Sequence, residues 1–366
     1  MTSGEPGHVN DMQRYLVEEE AEKWQEGRIS RREFVRRATL ILGSAVVAGP
    51  VLLALGCDPN TPEPTPTAAG ASTGSTPQPS PQGTATVDVV APTVAATSEP
   101  TTAPTTAPTA SGTAGTTGGS PFHVPEDDPN VHAEMVEFPA TDGSATLKAY
   151  LALPTPVNAR IMTPPGVLVI HENRGLTEHI KDVTRRLARA NYAALAVDLL
   201  SRQGGSDAHP DEAERTGLLG QNPSEQVISD LSAGLDYLKG RGDVVPDKLG
   251  VMGFCFGGGY AWRMATARAD LKAAVPYYGP NPPLEDVPKI KAAVLGIYGE
   301  RDTRITGQVP ALEEALKQAG VTYEIKIYEG AEHAFHNDTT ARYNPEAARD
   351  AWEQTLAWFE KHLRGA

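Results

Sequence analysis

Between residues 145 and 363 short apolar runs alternate with longer amphipathic ones. This alternation constrains the fold more than any other feature of the chain. Strand-like runs fall at 145–153, 166–170, 192–198, 248–253, 273–278, 292–298 and 323–328. Helical periodicity appears between them near 178–190, 224–240, 257–268 and 308–319, with a last segment near 345–363. Several of the short runs, such as VLVI and AALAV, are apolar without a break. Parallel strands covered on both faces read this way, whereas a half-solvated strand alternates. The pattern predicts an α/β, doubly wound, mostly parallel sheet with helices on both faces. Ligands of such sheets collect beyond the carboxyl ends of the strands.

Composition divides the rest of the chain. Residues 58–120 are almost wholly Thr, Pro, Ala, Gly and Ser, with no Lys, Arg or aromatic residue. A segment of this kind cannot bury enough apolar surface to offset its ordering entropy, so it is expected to be a disordered tether. The folded domain then runs from 121 to 366, long enough for one sizeable core. The formal charge of the whole chain is −14. That balance argues against nucleic acid as a partner, because phosphate binding needs clustered cations.

The segment 1–57 carries an address. Ser30-Arg31-Arg32-Glu33-Phe34-Val35-Arg36 resembles the twin-arginine export signal of bacteria, and an uncharged, mostly apolar run follows from 38 to 56. Leu53-Ala54-Leu55-Gly56-Cys57 resembles a lipoprotein cleavage site, with Ala54 in a place where that pattern prefers Leu. The resemblance implies the export machinery as a partner and Cys57 as a lipidation site. It places the domain outside the cytoplasm, anchored to the membrane by lipid or by the retained signal helix. Residues 1–56 are then expected to stand outside the fold.

The chain has two cysteines. If Cys57 carries lipid, Cys255 has no partner, and an unpaired cysteine in an exported protein suggests a reactive thiol. Cys255 lies in Val251-Met252-Gly253-Phe254-Cys255-Phe256-Gly257-Gly258-Gly259, at the turn from a strand-like run into a helical one. G-x-C-x-G is the nucleophile elbow with sulfur in place of oxygen. Gly253 and Gly257 remove side chains that would collide across so sharp a turn. The thiol is thereby set at a helix amino terminus, where the dipole favours thiolate. The Phe256 N–H is expected to face a developing oxyanion. Asp302 follows the run 292–298, and His333 follows 323–328. Nucleophile, acid and histidine in this order are the chain order of α/β-hydrolases. His333 would shuttle the proton while Asp302 fixes its tautomer.

The domain resembles the dienelactone hydrolases, a cysteine-dependent branch of the α/β-hydrolases. The resemblance rests on Gly253-Phe254-Cys255-Phe256-Gly257-Gly258, His171-Glu172-Asn173-Arg174-Gly175, Asp198-Leu199-Leu200-Ser201-Arg202-Gln203 and the Asp302/His333 pair. It implies that Glu172 contacts the resting thiol and that the N–H of Asn173 completes the oxyanion hole with that of Phe256. It also implies that Arg202 helps to bind a substrate carboxylate. One position departs from the pattern: members that cleave dienelactone carry a second arginine four residues after the histidine, where this chain has Asn337. Tyr277 and Tyr278 end another strand, and Tyr278 is a further candidate for the pocket wall. The implied substrate is a small carboxylic ester or lactone, with no cofactor. No metal is expected, because His171, His179, His209, His333 and His336 lack ligand spacing. The Gly257-Gly258-Gly259 run lacks the lysine of a phosphate loop. Two other readings of the same residues are a non-catalytic surface binding protein and a thiol redox sensor.

Overall fold

A computed structural model describes residues 9–57, 121–156 and 163–365. The proposed tether, 58–120, lies outside the described residues. Eight strands form one sheet: β1 (Val131–Pro139), β2 (Thr146–Pro154), β3 (Pro165–Ile170), β4 (Ala193–Val197), β5 (Val245–Phe254), β6 (Ala273–Tyr277), β7 (Ala293–Gly299) and β8 (Tyr323–Tyr328). Their order is β1-β2-β4-β3-β5-β6-β7-β8. β1 pairs β2 antiparallel, β2 pairs β4 antiparallel, and every other pairing is parallel. β3 and β4 are buried at every residue, which is why their sequences are apolar throughout. From β3 the order runs one way to β4 and the other way to β5. That reversal opens a crevice at the carboxyl ends of β3 and β5.

Among the described residues ten α-helices accompany the sheet. Three precede it: α1 (Asp11–Gln25), α2 (Arg31–Leu42) and α3 (Ala45–Ala54). The others are α4 (Glu178–Arg189), α5 (Glu212–Gln221), α6 (Ser224–Lys239), α7 (Phe256–Ala267), the single turn α8 (Thr303–Thr306), α9 (Val309–Ala319) and α10 (Pro345–Phe359). The strands and long helices of the α/β part fall where the sequence places them. β1 and α5 were not foreseen. β1 is an edge strand whose burial does not alternate cleanly, and α5 holds Gly217 and Gly220, which weaken a helical pattern.

The largest departure concerns residues 1–56, which are expected to stand outside the fold. Instead α1–α3 pack into the same compact unit as the sheet. Met12, Leu16, Val17, Phe34 and Ile41 are buried in its hydrophobic core. Each large apolar side chain so buried contributes roughly 1.5–3 kcal/mol. α1 starts in a capping box, with Asn10 and Gln13 each bonding the other's backbone N–H. α2 starts at Ser30, whose hydroxyl accepts from Glu33 N–H, and stops at Gly43 in the left-handed region.

The two glycines of α5 explain how α2 comes so close. A Cβ on Gly217 would stand 2.7 Å from Cβ of Leu40, and one on Gly220 would stand 2.8 Å from Cγ2 of Ile41. The last carbonyls of α2, orphaned by the helix end, are taken by side chains: Gln221 Nε2 donates to Leu40 O at 2.7 Å and Gln13 Nε2 to Ile41 O at 3.2 Å. The apolar run 38–56 is therefore not one helix. It breaks at Gly43 and Ser44, and α3 carries Pro50 within it. Among the described residues no helix is long and apolar enough to cross a membrane.

Candidate active site

Cys255 caps the amino terminus of α7 with φ 58° and ψ −119°, a strained conformation for a residue with a Cβ. The two flanking glycines make the turn possible. A Cβ on Gly253 would lie 2.1 Å from the carbonyl oxygen of Gly257, and one on Gly257 would lie 2.3 Å from that of Ile170. The elbow is thus wedged against β3, and the first N–H groups of α7 have no intrahelical acceptor. Cys255 is 3% exposed.

Asp302 and His333 meet across the ends of β7 and β8, with His333 Nδ1 2.5 Å from Asp302 Oδ2. Their loops are tied to each other by Arg301 N–H to Ala331 O at 2.9 Å, Glu300 N–H to Tyr328 O at 3.0 Å and Gly330 N–H to Glu300 Oε2 at 2.8 Å. Nδ1 is committed to Asp302. His333 is buried beside the Cys255 thiol. Burial alone would lower the His333 pKa, but the Asp302 carboxylate, with Cys255 beside it, overrides burial and raises it from 6.5 to about 10.

Two groups from α1, absent from every sequence-based expectation, sit on the thiol. Tyr15 Oη lies 3.2 Å from Cys255 Sγ. Sγ donates to Glu19 Oε2 at 3.3 Å, and Asn173 Nδ2 donates to Glu19 Oε1 at 3.1 Å. Burial pushes the Glu19 carboxyl up, yet Lys23, His333, Arg304 and Arg342 pull it well below the usual range, so it is ionised. Glu19, Cys255 and His333 offer three ligand-type atoms within 4.8 Å of one another, the one such cluster among the described residues. The guanidinium of Arg304 lies 4.7 Å from the Tyr15 ring centroid, with Nε 3.5 Å from Glu22 Oε2. No α1 residue could be found from motif reading. The α/β-hydrolase pattern begins more than a hundred residues later, and the segment holding Tyr15 and Glu19 reads as a leader.

Glu172 lies at the end of β3 and lines the same cleft, together with Asn173, Arg174, Cys255, His333, Asn337 and Arg342. It does not contact the thiol as expected: Glu172 Oε2 accepts from Asn337 Nδ2 at 2.8 Å, and the carboxylate on sulfur is Glu19. The loop holding Glu172 and Asn173 is fixed by His171, whose Nδ1 bonds Glu172 O at 2.6 Å while Nε2 accepts from Leu199 N–H at 3.1 Å. Asn337 is 2% exposed, and its Oδ1 accepts from both Thr339 N and Thr339 Oγ1. Its amide is thereby occupied within the protein.

Arg202 is not at the cleft. Its guanidinium forks onto Asp230 of α6, with two bonds of 2.8 Å, and reaches Ser144 at 2.7 Å. The rest of its motif is a loop brace, in which Asp198 accepts from Leu200 N, Ser206 N and Ser206 Oγ. The cleft's cations are Arg174 and Arg342. Tyr278 is fully buried with φ 36°, its ring 5.1 Å from that of His333, so it backs the imidazole instead of lining the cleft. Cys57 is buried at the end of the amino-terminal helices, and its N–H donates to Leu52 O.

The model of the dienelactone hydrolase family matches residues 147–363. A protein of Methylorubrum extorquens is 36% identical over 239 residues, covering 62% of this chain and 80% of its own. One of Saccharolobus solfataricus is 36% identical over 257 residues, covering 60% and 96%. Both bear the name "Putative carboxymethylenebutenolidase". A crystal structure from Klebsiella pneumoniae, described as "Putative Dienelactone Hydrolase", is 33% identical, covers 63% of this chain and 99% of its own, and superposes with a TM-score of 0.58. The matched span holds the elbow, the crevice and both loops that carry Asp302 and His333, and the chain belongs to the dienelactone hydrolase family.

Proposed function

We propose that this hydrolase cleaves small carboxylic esters or lactones through a covalent thioester on Cys255. The observation that carries the reading is the His333–Asp302 bond of 2.5 Å beside a strained, wedged cysteine. Asp302 holds the Nδ1 proton, which leaves Nε2 for the thiol. Sγ attacks the substrate carbonyl carbon with the proton it has given up held on His333 Nε2, whose pKa is raised to about 10. The oxyanion is received by the N–H groups of Phe256 and Asn173 at the ends of β5 and β3. Collapse expels the alcohol, which takes the proton from His333. Water then attacks the thioester with His333 as base, and the carboxylic acid leaves as the thiol reforms. The relatives' name supports a lactone among the substrates. Arg174 and Arg342 at the cleft favour one bearing a carboxylate. A panel of p-nitrophenyl esters and lactones with and without a carboxylate, run on the wild type and on Cys255→Ala, tests the reading. Turnover that survives in Cys255→Ala refutes it.

For the amino-terminal segment the proposal is export through the twin-arginine route followed by lipid attachment at Cys57. It is supported by Ser30–Arg36 and by the Leu-Ala-Leu-Gly-Cys stretch. Arg31→Lys with Arg32→Lys should hold the precursor in the cytoplasm, and Cys57→Ala should abolish incorporation of a fatty-acid analogue. Label persisting in Cys57→Ala would show the cleavage site to be misplaced.

A further inference from the structure

The free volume beside Cys255 is about 10 Å³, room for one water at most. A scissile carbonyl must approach within about 3–3.5 Å of the nucleophile. That space is filled by Tyr15 at 3.2 Å and Glu19 at 3.3 Å. Both come from α1, and both are buried. The Glu19 group is a carboxylate held against the thiol on one oxygen and by Asn173 on the other. It has no leaving group, so it sits in the cleft as the acid product of an ester would, and it cannot be consumed.

We propose that α1 is a built-in plug of the catalytic cleft. With Tyr15 and Glu19 seated on Cys255 the chain is latent, and it turns over substrate only when α1 has left. The latency of turnover rests on Cys255 being the nucleophile; the occlusion of the thiol does not. The plug is held from both sides. Arg304, two residues beyond Asp302, covers the Tyr15 ring and faces Glu22. Behind α1, α2 supplies Arg37, whose Nη1 lies 3.1 Å from Glu20 Oε2. α2 in turn is seated on α5 through Gly217 and Gly220. Lys23 completes the clamp on α1 itself, 3.2 Å from Glu19 and 2.5 Å from Glu20. The three helices end at Cys57, so cleavage there during export would remove the plug as a unit and couple activity to location.

Two full-length variants test this. Gly217→Leu drives a side chain into Leu40 of α2 and leaves Tyr15, Glu19 and the catalytic residues unchanged. Tyr15→Ala/Glu19→Ala empties the plug and leaves the α2–α5 contact intact. Each is checked for a cooperative thermal melt, and if one fails to fold the other carries the test. The readouts are the rate of iodoacetamide alkylation at Cys255, followed by peptide mass spectrometry to separate it from Cys57, and the turnover of p-nitrophenyl acetate. The plug predicts that both rise at least tenfold over the wild type. Alkylation as fast in the wild type as in both variants overturns it. So does a rise in alkylation with turnover falling below that of the wild type, because α1 would then supply catalytic groups. A rise in alkylation with no turnover in any form, wild type included, leaves the plug standing and removes the ester-hydrolase reading instead.

Discussion

The phenol oxygen of Tyr15 lies 3.2 Å from Sγ of Cys255, across 240 residues of sequence. The contact joins a segment that reads as an export leader to the residue that reads as the nucleophile. It makes the chain's resting state different from a bare α/β-hydrolase, and rates of the full-length protein have to be compared with those of forms in which α1 is displaced.

The proposed triad of Cys255, Asp302 and His333 is expected to act as a unit. Cys255→Ala, His333→Ala and Asp302→Asn are each expected to lower kcat by about 10²–10⁴-fold, the range for losing a positioned acid–base group. The losses should not add: Cys255→Ala/His333→Ala should be no slower than Cys255→Ala alone. Steady-state kinetics in the Gly217→Leu background, in which the plug proposal predicts an open cleft, reads this directly.

His333 gives a pH signature. Its pKa is raised from 6.5 to about 10, with burial opposing and Asp302 and Cys255 raising it. A raised folded-state pKa stabilises the fold fully below the unfolded value and loses that contribution as pH climbs through about 10. In Asp302→Asn the larger raising charge is gone, and burial then pulls the midpoint down. Imidazole NMR titration should show the His333 midpoint several units lower in Asp302→Asn. An unchanged midpoint would mean that Asp302 does not hold the ring.

Substrate charge should be read by Arg174 and Arg342, not by Arg202. Arg174→Ala and Arg342→Ala are expected to lower kcat/KM for carboxylate-bearing esters about tenfold, near 1.4 kcal/mol, with neutral esters little changed. Arg202→Ala, which breaks a fork onto Asp230, should cost stability and leave the acid-to-neutral ratio alone. Asn337→Arg would place a long cation where the amide is buried and bonded to Glu172. It should destabilise the protein by about 1–3 kcal/mol through overpacking and gain no preference for acids. Melting temperatures and the two kcat/KM values decide it.

The elbow leaves no room for a methyl group. Gly253→Ala brings a Cβ to 2.1 Å from the Gly257 carbonyl oxygen, so the turn must open or the strand must shift. The expected cost is at the upper end of the overpacking range, about 3 kcal/mol, with loss of turnover. Denaturant melts measure the first and ester hydrolysis the second.

The sheet was legible because its inner strands are buried on both faces and say so residue by residue. VLVI and AALAV carry no polar interruption, and β3 and β4 are those runs. The elbow was legible because its steric demand is local: Gly253, Cys255 and Gly257 sit within five positions. What sequence could not give was pairing between distant surfaces. Arg202 reads as a pocket arginine until Asp230, on another helix, is found opposite it. Glu172 reads as the acid on the thiol until Glu19 is found there and Asn337 is found on Glu172. The glycines of α5 weaken its helical pattern, and their use shows only where Leu40 and Ile41 are brought against them. In each case the partner lies far away in the chain, and periodicity, which is local, carries no information about it.

Cys255 is proposed to carry the acyl group, and trapping that group on the protein decides it. Protein in the Gly217→Leu background is mixed with p-nitrophenyl acetate, quenched in acid during turnover, digested and analysed by peptide mass spectrometry. An acetyl group on the Cys255 peptide, formed with the burst of nitrophenol and absent in Cys255→Ala, is the predicted result. Steady turnover with acetyl on no cysteine, or on another residue, would contradict it.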